Sequence, residues 1–178
     1  MGTCHHALGY LLYTLGENDL ARAEYERALA IRGQLTAEFS DVAGYQSDLA
    51  RTHNNLGMLL EALRQGDEAR AEYNESLKIV SKLAERFPDI SAYLHQSATT
   101  RVNLGALFYL LGKWDEAGRE YAQAQELFRK LVERFPACPS TNGTWRRVIT
   151  TWASSCRNSV NLRKAAPSTS ARWKSKRN

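Results

Sequence analysis

The sequence predicts an all-α fold, a right-handed α-solenoid of about six helices arranged as helix-turn-helix repeats, followed by an irregular C-terminal tail. The first observation is an internal repeat, because Leu8-Gly9, Leu56-Gly57 and Leu104-Gly105 stand 48 residues apart. Further sets of residues keep the same step: Ala21, Ala69 and Ala117; Tyr25, Tyr73 and Tyr121; Leu35, Leu83 and Leu131; and Phe39, Phe87 and Phe135. A period of this size is typical of stacked supersecondary units.

The second observation is a helical periodicity within each unit. Between Val42 and Leu63, apolar residues recur at steps of three, four and seven, which predicts an amphipathic helix. A second helix is predicted from about Asp67 to Arg86. Pro88 ends it, because proline restricts the residue before it and cannot donate to the helical ladder. Each unit is therefore predicted to be a first helix, a tight turn, a second helix and a short connection.

Turn residues predict where these helices begin and end. Glycine tolerates the left-handed conformation that terminates a helix, so the first helices are predicted to end at Gly16, Gly66 and Gly112. Aspartate side chains cap helix N-termini, so the second helices are predicted to be capped by Asp19, Asp67 and Asp115. The first helix of the third unit is predicted to be capped by Asp89 or Ser91.

Small and large residues are distributed as close helix packing requires. Gly57 and Ala69 would let two helix backbones approach, and Tyr73 and Phe87 would fill the space beside them. Leu-Gly in the first helix, followed by Ala, Tyr and Ala or Ser in the second, resembles the tetratricopeptide repeat family. Residues 8–135 carry this pattern nearly three times. The usual unit of that family has ~34 residues, so the resemblance implies longer helices here.

The resemblance implies a repeat array over residues 3–137, with units starting near Leu8, Leu56 and Leu104. In this family, partner peptides lie in a concave groove lined by the first helices. The implied groove positions are His6, Tyr10, Tyr13, Arg51, Asn54, Met58, Glu61, Thr99, Val102, Ala106 and Tyr109. Asn can hydrogen-bond a peptide backbone, Arg can pair with a carboxylate, and Tyr or Met supplies adaptable contact area. The alternative is that the asparagines only link neighbouring helices (Asn54, Asn55 and Asn103).

The resemblance also implies a fragment of a larger protein. Similar long-helix arrays occur in large bacterial signalling proteins, sometimes beside a Ser/Thr kinase domain, although this chain carries no kinase signature. The first unit has seven residues before Leu8, whereas the helix predicted from Val42 has 14 before Leu56. The array is therefore expected to start in the middle of a helix, without the polar cap that a solenoid end normally needs.

Residues 138–178 differ abruptly in composition from the rest. Residues 1–137 carry 15 Lys/Arg and 19 Asp/Glu, a net charge of −4, whereas residues 138–178 carry nine Lys/Arg, no acid and three of the four tryptophans. The repeat pattern also stops after Pro136, although a further first helix is due. We hypothesise that residues 138–178 are a frameshifted reading of a further repeat, with the shift near Ala137.

Codon structure supports this hypothesis. When the last base of each codon is read with the first two of the next, the Trp152–Ala153 junction must be GGC, a glycine codon. The ten junctions that end there can encode Asp-Leu-Ala-x-Ser-His-Asn-Asn-Leu-Gly, which corresponds to residues 48–57, with Ser in place of Thr52. The alternative is a disordered basic arm that binds nucleic acid through stacking and phosphate contacts, using Trp145, Trp152 and Trp173 with Arg146, Arg147, Arg172, Lys174 and Arg177.

Other functional classes find little support. No apolar run approaches ~18 residues, and no secretory signal is visible. The three cysteines (Cys4, Cys138 and Cys156) and the four histidines share no metal-like spacing, and the cysteine usage suits a reducing cytoplasm. There is no Gly-rich phosphate loop, nucleophile elbow or zinc-binding His-Glu motif. The sequence predicts a cytoplasmic, non-enzymatic protein with no cofactor and no membrane segment, which binds a protein or peptide partner.

The end of the array is predicted to be incompletely covered. If the tail forms no further helix, the second helix of the third unit lacks the element that should pack on it. An apolar stripe would then be partly exposed and would favour self-association, comprising Tyr121, Leu127, Phe128 and Leu131.

Overall fold

The structure, a computed structural model, describes residues 2–136, which form three helical hairpins. The helices are α1 (Gly2–Thr14), α2 (Asn18–Glu38), α3 (Ala43–Ala62), α4 (Gly66–Arg86), α5 (Ser91–Leu110) and α6 (Trp114–Arg134). No β-strand occurs between residues 2 and 136. Each hairpin corresponds to one predicted 48-residue unit, so the predicted all-α class and helix number are confirmed for this part of the chain.

The hairpins stack into an α-solenoid. Consecutive helices pack against each other from α1 to α6, and the first helices also contact one another across the unit boundaries, α1 with α3 and α3 with α5. In such a solenoid each unit buries its apolar surface mainly against its neighbours. The first helices therefore lie side by side on one face, and this face carries the candidate site.

A glycine-tyrosine contact joins the two helices of every unit. A Cβ atom built on Gly57 would lie 2.7 Å from Cε1 of Tyr73, and one on Gly105 would lie 2.8 Å from Cε1 of Tyr121. The equivalent distance from Gly9 to the ring of Tyr25 is 2.9 Å. Since real Cβ atoms do not approach other atoms this closely, only glycine leaves room for the ring. The predicted packing of Tyr73 beside Gly57 is confirmed.

The main apolar core spans the unit boundaries rather than lying within one hairpin. Tyr25 of α2, Leu59 of α3, Tyr73 of α4 and Leu104 of α5 belong to one buried cluster. None of these side chains is more than 4% exposed. Burying a large apolar side chain contributes about 1.5–3 kcal/mol, so this cluster is a principal source of the cohesion between units.

The predicted helix ends are partly wrong. Gly16 and Gly112 do adopt left-handed backbone conformations, with φ of +82° and +72°, but in the middle unit this conformation belongs to Arg64, at +62°. Gly66 is instead the first residue of α4. In all three units the left-handed residue stands two positions before the second helix. The next N–H donates back to the first helix, as Gln65 does to the Leu60 carbonyl at 2.9 Å.

The predicted caps are also wrong. The residues that precede the second helices are Glu17, Gln65 and Lys113, and none of them makes a side-chain capping bond. The three aspartates lie instead within the first turn, where a negative charge favours the positive end of the helix dipole (Asp19, Asp67 and Asp115).

The first helix of the third unit, α5, also begins without the predicted cap. Ile90 precedes α5 without a side-chain capping bond, and Ser91 is already helical. The Asp89 carboxylate is paired instead with Arg134, at 3.1 Å. At the C-terminal end of α4, Phe87 donates its N–H to the Leu83 carbonyl at 2.8 Å, and Pro88 follows, as predicted.

The stripe on α6 that was predicted to be partly exposed is buried at two of its four residues. Tyr121 is 3% exposed and Leu131 is 1% exposed, while Leu127 and Phe128 are half-buried. The reason is that the stripe faces α5 of its own unit. Tyr121 lies against Gly105, and the Phe128 ring meets His95 edge-on with centroids 6.1 Å apart.

The predictions for the tail concern residues 138–178, which lie outside the described residues. The same holds for the last residue of the predicted array, Ala137. Among residues 2–136, no helix combines the length and the apolar character that crossing a membrane demands.

Candidate functional site

The candidate site lies on the face formed by α1, α3 and α5, which we call the groove. A cavity of about 450 Å³ opens on this face, the groove cavity. It is lined by Tyr13 of α1, by Met58, Glu61 and Ala62 of α3, by Asn103, Ala106, Leu107 and Leu110 of α5, and by Arg64, Gly66, Tyr73 and Leu111. The groove cavity thus draws on the first helices of all three units, which is possible only because these helices stack side by side.

Several predicted groove residues meet in this cavity. They are Tyr13, Met58, Glu61 and Ala106, which come from three different helices. The side chains of these four residues supply an aromatic ring, a flexible thioether, a carboxylate and a small methyl group. This combination suits a partner segment with one polar or charged group and an apolar neighbour.

Glu61 is the carboxylate that lines the groove cavity. It is half-buried, and its Oε2 atom accepts a hydrogen bond of 2.9 Å from the hydroxyl of Tyr73. Burial raises the pKa of the Glu61 carboxyl, while the hydrogen bond from Tyr73 acts in the opposite direction. The same Tyr73 ring packs against Gly57, so core packing fixes the position of this carboxylate.

The asparagines of the groove link neighbouring first helices. Nδ2 of Asn103 donates to Oδ1 of Asn54 at 3.0 Å, across the boundary between the second and third units. Nδ2 of Asn55 lies 3.4 Å from Nε2 of His6 at the equivalent place in the preceding boundary. Asn54 is only 8% exposed. This is the linking role that the sequence left open as an alternative to peptide binding.

His6 belongs to a polar cluster at the first unit boundary. Its Nδ1 atom lies 3.3 Å from the hydroxyl of Thr52, which also accepts a hydrogen bond from the buried Arg32. Burial, together with the charges of Arg32 and Arg51, lowers the pKa of His6 to about 4, while Asp48 acts in the opposite direction. His6 is therefore neutral at physiological pH and is held in place by the interface.

Other predicted groove residues have separate surroundings. Tyr10 is 53% exposed on α1, outside the lining of the groove cavity. Arg51 is exposed and paired with Asp48 one turn earlier on α3. The hydroxyl of Thr99 donates to the carbonyl of His95 on the same helix, at 3.0 Å. These three side chains do not converge on one point.

The two remaining predicted residues pack within the third unit. Val102 and Tyr109 contact the buried pair Ala117 and Tyr121 of α6. The ring of Tyr109 also meets the indole of Trp114 edge-on, with centroids 4.6 Å apart. Whether any of the eleven predicted groove residues binds a partner stays a prediction.

Sequence reasoning missed part of the groove cavity. Leu110 lines it and is 68% exposed, the largest exposed fraction among the large apolar residues of the described chain. The signal was the Leu110-Leu111 pair directly before Gly112, in a position where a solvated turn would normally be polar. Arg64 was missed because the turn was expected to be built around Gly66.

A polar contact between the two helices recurs in each unit, and it accounts for two of the four histidines. Nδ1 of His5 lies 2.6 Å from the carboxylate of Glu24, and Nδ1 of His53 lies 2.7 Å from that of Glu72. In the third unit Arg101 pairs with Glu120 at 2.7 Å. Within residues 2–136 no three His, Cys, Asp or Glu side chains are grouped as a metal site would require.

A second cavity lies away from the groove. It encloses about 550 Å³ between α4, α5 and α6. Its lining alternates charges of both signs with small residues, including Glu85, Arg101, Glu126 and Lys130. Arg101 already pairs with Glu120, and Glu126 already pairs with Arg129. This cavity therefore offers fewer free charged groups than the groove cavity.

Comparison with known proteins agrees with this geometry. Two tetratricopeptide repeat profiles match the chain, one over residues 48–130 and the other over residues 3–34. The chain is similar to BtubC (BKLC) from P. vanneervenii, whose crystal structure superposes with a TM-score of 0.56 at 23% sequence identity. That match covers 90% of this chain and 64% of BtubC, so the chain spans less than two thirds of that protein. At this identity the likeness concerns the fold alone.

A second solved structure is more distant. A thermophilic TPR protein from Thermus thermophilus is 17% identical, with 88% of this chain and 98% of that chain covered. Its TM-score of 0.19 is too low to bear on the fold. No curated protein matches the chain.

Proposed function

The chain belongs to the tetratricopeptide repeat family, and we propose that it is a non-enzymatic scaffold that binds a partner protein or peptide in its groove. Repeats of this family generally mediate contacts between proteins, and the proteins that carry them are generally not enzymes. The groove cavity is the single observation that carries the assignment to this face. It gathers side chains from all three units at one place.

The chemistry of the groove cavity supports a peptide ligand. Its volume of about 450 Å³ falls within the range of roughly 300–1,000 Å³ that ligand sites occupy. Leu110 and Met58 offer apolar contact, while Glu61 and Asn103 offer polar contact. Leu110 and its neighbour Leu111 are both exposed, so a partner that covers them would remove apolar surface from water.

A substitution that fills the groove cavity tests the proposal. Peptides would be selected from a random library for binding to the intact chain, and their affinities would be measured by fluorescence polarisation. Ala106→Gln places a larger side chain in the cavity without breaking the helix, so binding is expected to weaken by about tenfold or more. Circular dichroism would show that the variant keeps its helix content.

The matched control is an Ala→Gln substitution outside the groove cavity. Ala30→Gln lies at an exposed position of α2, outside the lining of the groove cavity, and should leave the affinity unchanged. If both variants bind the selected peptides as the wild type does, the groove is not the binding face. If Ala122→Gln at the second cavity weakens binding instead, the partner occupies that cavity.

We also infer that the array ends near residue 137 and that residues 138–178 are read out of frame. The supporting observation is the agreement between the shifted junctions that end at Trp152–Ala153 and residues 48–57. Sequencing the coding DNA from Phe135 onward tests it directly. A second frame that continues with Asn-Asn-Leu-Gly and further repeats is expected, and a second frame that closes early would contradict the inference.

The second candidate function is nucleic-acid binding by residues 138–178, favoured by nine cationic residues and three tryptophans without a single acid. Such binding would weaken steeply with salt, because each phosphate contact releases counterions. A truncation after residue 137 would abolish it. Unchanged binding by the truncated chain, or no binding at low salt, would remove this candidate.

A further inference from the structure

Glu61 differs from the carboxylates that lie between the two helices of each unit. Glu24, Glu72 and Glu120 lie between the two helices of their units, and each has a cationic partner or a histidine within 2.7 Å. Glu61 receives only the hydroxyl of Tyr73. Among residues 2–136, no Lys, Arg or His nitrogen approaches its carboxylate within 4.0 Å. A half-buried anion without a cation retains part of its desolvation cost, and a bound cation would offset that cost.

The repeat itself does not require a carboxylate at this position. The equivalent residues, 48 positions before and after Glu61, are Tyr13 and Tyr109. Both neighbouring units therefore fold with a neutral tyrosine where the middle unit has Glu61. The charge is a property of this one place in the groove, and helix packing does not explain it.

We propose that the groove cavity receives a Lys or Arg side chain of the partner, with the cationic head paired to Glu61. This inference rests on the proposed function, because it specifies what enters the same groove. Lysine and arginine carry an apolar stem behind the charge. Met58 and Leu110 line the same cavity and would cover that stem. Charge complementarity and an apolar wall therefore select the same class of side chain.

Arg64 lines the same cavity and carries the opposite charge. It is exposed, whereas Glu61 is half-buried, so water already solvates the guanidinium better than the carboxylate. Exposed charges gain little from pairing. Glu61 consequently gains more from an incoming cation than Arg64 gains from an incoming anion. The raised pKa of Glu61 agrees with incomplete solvation of this carboxylate.

Three capped tripeptides test the charge preference with minimal other contact. They are acetyl-Ala-Arg-Ala-amide, its Gln analogue and its Glu analogue, titrated into the isotope-labelled full chain and followed by two-dimensional NMR. The Arg peptide is expected to shift the amides around Met58, Glu61 and Ala106 with millimolar affinity. Its affinity should exceed that of the Gln peptide by about tenfold, and the difference should shrink as salt screens the pair.

Two variants assign the preference to the carboxylate. Glu61→Gln keeps an oxygen that can accept the Tyr73 hydrogen bond but removes the charge, and Glu61→Tyr installs the residue found at both equivalent positions. Each should bring the Arg and Gln peptides to equal affinity. The control is Glu38→Gln, which removes the same charge from an exposed position at the end of α2 and should leave the preference intact.

Any one of four results would overturn the inference that Glu61 selects a cation. Equal affinities for the Arg and Gln peptides, a preference that survives Glu61→Gln, a tighter Glu peptide, or no shift around Met58 would each show that Glu61 does not select a cation. The groove proposal has a separate test, because peptides selected without regard to charge would still be displaced by Ala106→Gln. Failure of both tests would show that the groove does not bind the partner.

Discussion

The ring of Tyr73 occupies the space where a side chain at Gly57 would begin. A Cβ atom added to Gly57 would lie 2.7 Å from Cε1 of that ring, and the hydroxyl at its far end donates to Glu61 at 2.9 Å. One aromatic side chain therefore links the packing of α3 against α4 to the carboxylate of the groove. Stability and the candidate site share this residue.

Gly57→Ala is expected to lower the free energy of unfolding by about 1–3 kcal/mol. The added methyl group overpacks a fully buried ring, and α3 or Tyr73 must shift to relieve the contact. Urea unfolding followed by circular dichroism would measure the change. Since Tyr73 holds Glu61, the variant should also disturb the NMR signals around the groove cavity.

Gly33→Ala provides the matched control. Gly33 lies inside α2, and a Cβ added there meets no atom within 4 Å. Alanine is the better helix former, so this variant should gain up to about 1 kcal/mol. If the two substitutions changed stability by the same amount and in the same direction, the close approach to Tyr73 would not be the reason for glycine at position 57.

The glycine-tyrosine packing was predictable because the 48-residue step aligned the same two residue types three times. The turn was not predicted correctly, although the same step aligns Gly16 and Gly112 with Arg64. Residue type suggested Gly66, whereas the hydrogen bond from Gln65 back to Leu60 fixes the left-handed position two residues earlier. Backbone hydrogen bonding decided the turn, against the intrinsic preference of the residue.

The candidate site was predictable to a similar degree. Tyr13, Met58 and Glu61 could be assigned to the groove because their helix face follows from the repeat register. Leu110 was not, because the equivalent residues are Thr14 and Ala62, so the repeat register gives no apolar pattern at this position. The contacts of His5 with Glu24 and of Arg101 with Glu120 were hidden because the residue type changes between units while the position does not.

Arg64→Gly is expected to raise the free energy of unfolding by about 0.5–1 kcal/mol. A non-glycine residue in the left-handed conformation pays a steric cost that glycine does not, and the greater flexibility of glycine in the unfolded chain offsets only part of the gain. Arg64→Ala separates this effect from loss of the side chain, because alanine would keep the strain. Equal stabilities of the two variants in urea unfolding would contradict the explanation.

His6→Asn is expected to weaken the dependence of stability on pH. In the unfolded chain a histidine binds a proton below about pH 6.5, whereas burial keeps folded His6 neutral down to a pKa of about 4. Between these values protonation favours the unfolded state, so wild-type stability falls as the pH is lowered through this window. The contribution is about 1–2 kcal/mol after allowance for solvent screening.

Asparagine suits this test because Asn54 occupies the equivalent position in the next unit. Urea unfolding of both proteins between about pH 7 and pH 4 would show the wild-type curve falling more steeply. His95 also has a lowered pKa through burial, and it contributes equally to both proteins. Parallel curves would show that His6 titrates alike in the folded and unfolded chains.

Glu120→Gln is expected to lower the free energy of unfolding by about 1–2 kcal/mol, because it leaves Arg101 without its charged partner between α5 and α6. Both side chains are well shielded, at 22% exposed for Arg101 and 18% for Glu120, and their atoms are 2.7 Å apart.

Glu126→Gln makes the same change on the same helix, where the carboxylate is 46% exposed and pairs with Arg129. Water replaces that exposed partner readily, so urea unfolding of Glu126→Gln should match the wild type. A double-mutant cycle with Arg101→Gln isolates the pair, and a coupling energy near zero would mean that the packing of α5 against α6 does not depend on it.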